Sequence, residues 1–88
     1  MVLNIYSIKD ELANSFGNLM VINEQVAKRT FKWIMQEQES KDCEDKRIYY
    51  MGKYDTSNGA ISAVMPEMVY NLEQERKAYE ESERTQNG

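Results

Sequence analysis

Alternating and clustered apolar positions at the start of the chain predict two short β-strands. Residues 2–8 are mostly aliphatic, β-branched or aromatic, which is typical of a strand, and residues 19–22 form a second short apolar run. The segment between them is polar and ends in Phe16-Gly17-Asn18, a sequence suited to a hairpin connection. We therefore expect the chain to open with a β-hairpin.

The segment 23–38 has the pattern of an amphipathic helix. Asn23 is a suitable N-cap, and Glu24 and Gln25 suit the positive end of the helix macrodipole. Helical periodicity predicts an apolar face made of Ala27, Thr30, Phe31 and Ile34, flanked by Val26, Trp33 and Met35. The basic residues fall on the opposite side: Lys28, Arg29 and Lys32.

The second half of the chain predicts another hairpin and a last helix. The acidic segment 37–45 has no periodicity and is expected to be a solvated loop. Residues 48–54 and 60–64 are predicted strands, joined by a turn at Asn58-Gly59, a pair that readily supplies positive φ angles. Pro66 suits the first turn of a helix, after which apolar residues recur at helical spacing.

The predicted element order is β-β-α-β-β-α, an α+β fold. We expect a small β-sheet of two hairpins with one amphipathic helix packed on it, formed by residues 1–65. Residues 66–88 are expected to be a C-terminal helical extension with a frayed acidic end. Charge supports this division, because residues 1–66 carry 8 basic and 9 acidic groups, whereas residues 67–88 carry 3 and 6.

Composition limits the chemistry available to the chain. Its 88 residues suffice for one domain, with a formal net charge of −4, no histidine and one cysteine. Such a composition leaves no ordinary zinc site and no Cys–His pair, so we expect no enzyme activity, no metal and no cofactor. No apolar run is long enough to span a membrane, and residues 1–8 lack the pattern of a signal peptide. A single cysteine fits a reducing cytoplasm.

Two groups of residues are candidates for contacts with other molecules. A nucleic-acid site would use phosphate-binding cations and a stacking tyrosine on the third strand, here Lys28, Arg29, Lys32, Lys46, Arg47, Tyr50 and Lys53. The alternative is that these charges form an ordinary solvated surface. We expect Tyr50 to point outward if Tyr49 and Met51 face the core.

The apolar stripe of the predicted last helix is the second candidate. Its members Met68, Val69 and Leu72 either cover the sheet of their own chain or contact a second copy. Because a small domain gains stability from self-association, a homo-oligomer with these three residues in its interface is expected.

Three sequence blocks resemble the small nonstructural protein of gokushovirus-type microviruses, phages with single-stranded DNA. The blocks are Ile5-Tyr6-Ser7-Ile8-Lys9-Asp10, then Ala27-x-Arg29-x-Phe31, and finally Ile48-Tyr49-Tyr50-Met51-Gly52-Lys53-Tyr54-Asp55 with Gly59. Family members commonly carry a proline-containing stretch before the helix and end soon after the second hairpin. This chain lacks that proline and continues beyond the hairpin.

The resemblance implies a non-enzymatic phage protein that binds single-stranded DNA during viral genome synthesis or packaging, in the cytoplasm of the bacterial host. The alternative is a protein-interaction module, such as an acidic accessory protein or a host-directed inhibitor, whose partner is a host or phage protein. Net negative charge favours the alternative, because it gives no long-range attraction toward nucleic acid.

Overall fold

A computed structural model describes residues 1–87 of the chain, and the side chains of residues 1–84. Its elements are β1 (Val2–Asp10), β2 (Ser15–Ile22), α1 (Glu24–Glu37), α2 (Ser40–Cys43), β3 (Lys46–Asp55), β4 (Ala60–Asn71) and α3 (Leu72–Asn87). The four strands form one antiparallel sheet in the order β2-β1-β3-β4. The predicted α+β fold of two hairpins and a packed helix is confirmed, with the one-turn helix α2 added.

The core lies between the sheet and α1. Tyr6 of β1 meets Phe31 of α1 edge to face, with 4.9 Å between ring centroids, and Phe31 also contacts Tyr70 of β4 at 5.6 Å. Ile48 and Leu72 are fully buried beside them. As predicted, α1 is amphipathic and is capped by Asn23, whose side-chain oxygen accepts from the backbone N–H of Gln25. Its buried residues are Ala27, Phe31 and Met35.

Within residues 1–87, no helix lies on the opposite side of the sheet, and we call that side the open face. Successive strand residues point to opposite sides, and the strand register aligns neighbours across each side. The residues that lie opposite the core side are Leu3, Ile5, Ser7, Lys9, Phe16, Leu19, Val21, Arg47, Tyr49, Tyr54, Ile61 and Met68. The described Cα trace is only 16 Å in its shortest dimension, which matches two layers.

The first hairpin turn differs from the prediction. Residues 11–14 form the turn, and Phe16-Gly17-Asn18 lies within β2. The Asp10 carboxylate accepts from the backbone N–H groups of Leu12 and Ala13, and Asn14 adopts a positive φ of 53°. Because the aspartate caps its own turn and the asparagine adopts the left-handed region, the chain turns at residues 11–14 and not at the predicted residues 16–18.

The predicted start of the last helix is also wrong. β4 continues through Pro66 to Asn71, and α3 begins at Leu72, so the expected boundary between residues 65 and 66 falls inside a strand. Pro66 is tolerated because β4 is an edge strand and is bulged there: Tyr50 pairs with Glu67, whereas Gly52 pairs with Ala63. A proline at a bulge removes no hydrogen bond from the ladder.

Two residues determine how α3 is attached to the rest of the molecule, Asn71 at its start and Arg76 in its second turn. Asn71 caps it by accepting from the backbone N–H of Gln74. The Arg76 guanidinium donates to the carbonyl oxygens of Met35 and Gln36 at the end of α1 and pairs with Glu80, 2.8 Å away. These contacts join the first two turns of α3 to the end of α1. The fraying expected from Glu80 onward stays a prediction, and Gly88 lies outside the described residues.

The acidic segment 37–45 is not wholly a loop, because it contains α2. Cys43 at the end of α2 is fully buried in the core cluster. This burial, with a smaller contribution from the Asp42 carboxylate, raises the pKa of the Cys43 thiol. The Cys43 thiol therefore remains protonated and packs as part of the hydrophobic core.

Candidate functional site

The outward side of α1 carries three cations. Because Ala27, Phe31 and Met35 hold α1 on the sheet, Lys28, Arg29 and Lys32 are exposed, as predicted. Among the side chains of residues 1–84, none of the three forms an ion pair, whereas Lys9, Lys41, Lys46, Arg47 and Arg76 all do. Their positive charge is therefore available to an anion.

Trp33 lies in the same exposed region and is the feature that the sequence interpretation missed. It was expected on the flank of the apolar face, but it is 60 % exposed. The buried side of α1 is centred on Phe31, and Trp33 follows two residues later, about 200° around the helix. An apolar face centred on Phe31 predicts that Trp33 points outward. We call Lys28, Arg29, Lys32 and Trp33 the basic surface of α1.

Two depressions border the basic surface of α1. Arg29, Thr30 and Trp33 line a shallow hollow of about 290 Å³. On the other side, a groove of about 490 Å³ separates α1 from β4 and α3; it is lined by Lys28, Lys32, Met35, Val69, Tyr70 and Glu75. The surface thus offers an exposed indole and three cations within one 14-residue helix.

The three cations predicted around β3 are not part of the basic surface of α1. Lys46 pairs with Asp10 at 3.6 Å and Arg47 with Glu73 at 3.5 Å, so both charges are offset. Arg47 also alternates with the core residue Ile48 and lies on the open face, away from α1. Lys53 is exposed near the other end of β3. The structure does not join these three into one patch with the basic surface of α1.

The predicted outward orientation of Tyr50 is wrong. Tyr50 packs against the core cluster, with its ring centroid 5.9 Å from that of Tyr6. Its neighbour Tyr49 lies on the open face, where its hydroxyl donates to Glu11 at 2.6 Å and its ring contacts Phe16 edge to face. This hydrogen bond, aided by the Lys9 ammonium, lowers the pKa of Glu11. The same bond, together with burial and the charge of the Glu11 carboxylate, raises the pKa of Tyr49.

The three predicted interface residues lie in different environments. Met68 is half exposed on the open face, beside Tyr49. Val69 is the extra residue of a second bulge and lines the groove beside α1. Leu72 is fully buried in the core of its own chain, so the expectation that it contacts a second copy is wrong.

Three further features concern the part of the chain that the structure describes: metal ligands, membrane-spanning helices and a hollow at the first hairpin. No group of three or more metal-ligating side chains converges there. No helix within residues 1–87 combines the length and apolar character needed to cross a membrane. A hollow of about 540 Å³ beside the first hairpin is lined by Asp10 and Lys46, whose charges offset each other.

Comparison with known proteins places the chain in a family. The family model described as "Phage ORF5 protein" matches residues 3–75, which include β1 from its second residue, the other three strands, α1, α2 and the first turn of α3. Comparison with curated proteins and with solved structures gave no match.

Proposed function

The chain belongs to the phage ORF5 protein family, and from this premise we propose that it is a non-enzymatic phage protein that binds single-stranded DNA through the basic surface of α1. In a gokushovirus-type microvirus, whose small nonstructural protein the sequence resembles, such binding would serve genome synthesis or packaging in the cytoplasm of the bacterial host. The observation that carries the proposal is the placement of three cations and an exposed tryptophan on one side of one helix, with none of the cations in an ion pair among the side chains of residues 1–84.

Exposed cations and an exposed indole are complementary to the two repeating parts of a nucleotide strand. Lys28, Arg29 and Lys32 suit phosphates, and Arg29 lies one helical turn from Trp33, which suits an unpaired base. Stacking on an aromatic ring contributes about 1–3 kcal/mol per base and accepts any base. A duplex keeps its bases stacked inside, so a surface of this kind favours single strands and has little sequence preference.

The strength of binding is limited by the small number of contacts. Three phosphate contacts give a slope of about −2 in log K against log salt for single strands. The net charge of −4 gives no long-range attraction, so the local patch must supply the binding. We therefore expect modest affinity per chain and a shallow salt dependence.

Charge reversal on α1 tests this proposal. Fluorescence anisotropy would follow a labelled single-stranded oligonucleotide at two salt concentrations, with the wild type and with the double variant Arg29→Glu/Lys32→Glu. The control is Lys41→Glu/Lys77→Glu, which changes the net charge equally at exposed positions on α2 and α3. Loss of binding in the first variant alone supports the proposal. Equal weakening in both variants would assign the effect to net charge and contradict it.

Exposed acidic side chains distributed around α3 favour the second candidate, a protein-interaction module. Glu75, Glu81 and Glu83 are exposed there, and they would suit a basic host or phage protein. Nuclease treatment separates the two candidates: a partner retained by the wild type after nuclease, and lost when these three residues become glutamine, would favour the interaction module.

A further inference from the structure

The open face of the sheet presents apolar side chains that no described element covers. Five of them are between 40 % and 68 % exposed: Phe16, Leu19, Val21, Ile61 and Met68. They come from β2 and β4, the two outer strands. Between them, on the inner strands, Leu3 and Tyr54 are half-buried and Ile5 is only 5 % exposed, because neighbouring side chains already shield the centre of the face. Soluble monomers rarely expose a contiguous apolar patch across a whole sheet.

The charges on the open face are confined to one end and are already paired. Lys9 lies 3.6 Å from Glu11, and Arg47 lies 3.5 Å from Glu73. The Lys9 ammonium also lies over the rings of Phe16 and Tyr49. The remainder of the face has no charged side chain among its register positions. A nucleic acid or an acidic peptide would therefore find no free cation here.

A second copy of the chain fits these properties. An identical open face is equally apolar, and its charges are equally paired, so contact between two copies would bury no unpartnered charge. An apolar centre beside a rim of paired charges is also the usual arrangement of a protein interface.

The open face supplies most of the area that a dimer interface needs. Four strands spaced by about 4.8 Å, with about 3.3 Å per residue along the nine residues of β1, give a face of roughly 19 by 30 Å. A standard interface buries about 800 Å² per partner. The open face covers about 570 Å² in flat projection, so side chains at its rim must contribute the rest of such an interface.

We propose that two copies of the chain pair through their open faces to form a two-sheet sandwich. The sheets would lie about 10 Å apart, as in other aligned sheet packings. In this arrangement α1 of each copy lies on the outside, so the basic surfaces remain accessible. The dimer stands independently of DNA binding; if both hold, two outward surfaces on one particle would raise the apparent affinity for a long strand.

Mass measurement in the absence of DNA tests the dimer. Light scattering or sedimentation should give the wild type a mass of two chains, each of 10.3 kDa. Leu19→Lys/Ile61→Lys replaces residues that are 62 % and 68 % exposed on the open face, and should raise the dissociation constant by about 100-fold or more. The control Leu12→Lys/Gln74→Lys adds the same charge at exposed positions in a turn and on α3, and should remain dimeric.

Each outcome decides the proposal. A dimeric wild type with a monomeric, folded double variant and a dimeric control supports it. A wild type of any other mass, or a double variant that stays dimeric, overturns it. If circular dichroism shows the double variant to be unfolded, the single variant Ile61→Lys replaces it, and a dimeric, folded Ile61→Lys protein would again overturn the proposal.

Discussion

The ring of Phe31 in α1 meets the ring of Tyr6 in β1 edge to face, with centroids 4.9 Å apart and planes at 84°. This contact fixes the rotation of α1 about its own axis, because Phe31 is almost fully buried between Tyr6 and Tyr70. Fixing Phe31 inward turns Trp33, two residues later, outward. The core packing of the helix thus determines which residues it offers to a ligand.

Replacing Phe31 by alanine tests the packing of α1. Removal of a buried phenylalanine should lower the free energy of unfolding by about 3–5 kcal/mol. Since about 4–13 kcal/mol is expected for 88 residues, the variant should be close to unfolding. Denaturant unfolding followed by circular dichroism measures the loss. Trp33→Ala is the control and should change stability little; an unchanged midpoint for Phe31→Ala would contradict the assigned packing.

The helix α1 and the hairpin pattern could be predicted because their signals are local. Asn23 as a cap and the spacing of Ala27 and Phe31 define α1 without knowledge of the rest of the fold. Trp33 was misplaced because the predicted apolar face was centred on Ile34 rather than on Phe31. Only contacts with Tyr6 and Tyr70 decide between these two rotations.

The extent of β4 could not be predicted because it depends on distant residues. The spacing of Met65, Met68, Val69 and Leu72 fits a helix, and Pro66 fits its first turn. Pairing with β3 and two bulges select a strand instead. The orientation of Tyr49 and Tyr50 was equally open, because alternation assigns opposite sides but does not say which side the helix covers.

Gly52 should tolerate substitution less well than Gly59. Gly52 has a φ of 144°, and a Cβ atom there would overlap the carbonyl oxygen of Ser62 on β4. Gly59 has a φ of 76° but open space around it. Gly52→Ala should therefore cost about 3 kcal/mol or more, and Gly59→Ala about 1–2 kcal/mol of backbone strain. Thermal or denaturant unfolding measures both; equal losses would contradict the close approach of β3 and β4.

The titration of Glu11 should depend on Tyr49. The hydrogen bond from the Tyr49 hydroxyl holds the pKa of Glu11 below its ordinary value of 4.5. This bond stabilises the fold at pH values above 4.5, and the contribution is lost as the pH falls through the lowered pKa. In Tyr49→Phe the pKa of Glu11 should rise toward 4.5. Carboxyl NMR titration of both proteins measures the change, and an identical pKa in Tyr49→Phe would show that the bond is not formed.

Trp33 should contribute to DNA binding without contributing to stability. Trp33→Ala removes one stacking partner worth about 1–3 kcal/mol, so the dissociation constant for a single-stranded oligonucleotide should rise between about 5-fold and about 150-fold. Trp33→Tyr keeps an aromatic ring and should lose less. Anisotropy titrations of the three proteins provide the comparison, and equal affinities would remove Trp33 from the site.

The fluorescence of Trp33 provides the most direct measurement of binding at the basic surface of α1. The chain has a single tryptophan, so its emission reports on this surface alone. Titration with a single-stranded oligonucleotide at low salt should quench the emission to saturation, the quenching should weaken as salt is added, and a duplex should quench less. Unchanged Trp33 emission and the absence of any oligonucleotide binding at low salt would contradict the DNA-binding function and favour the protein-interaction module.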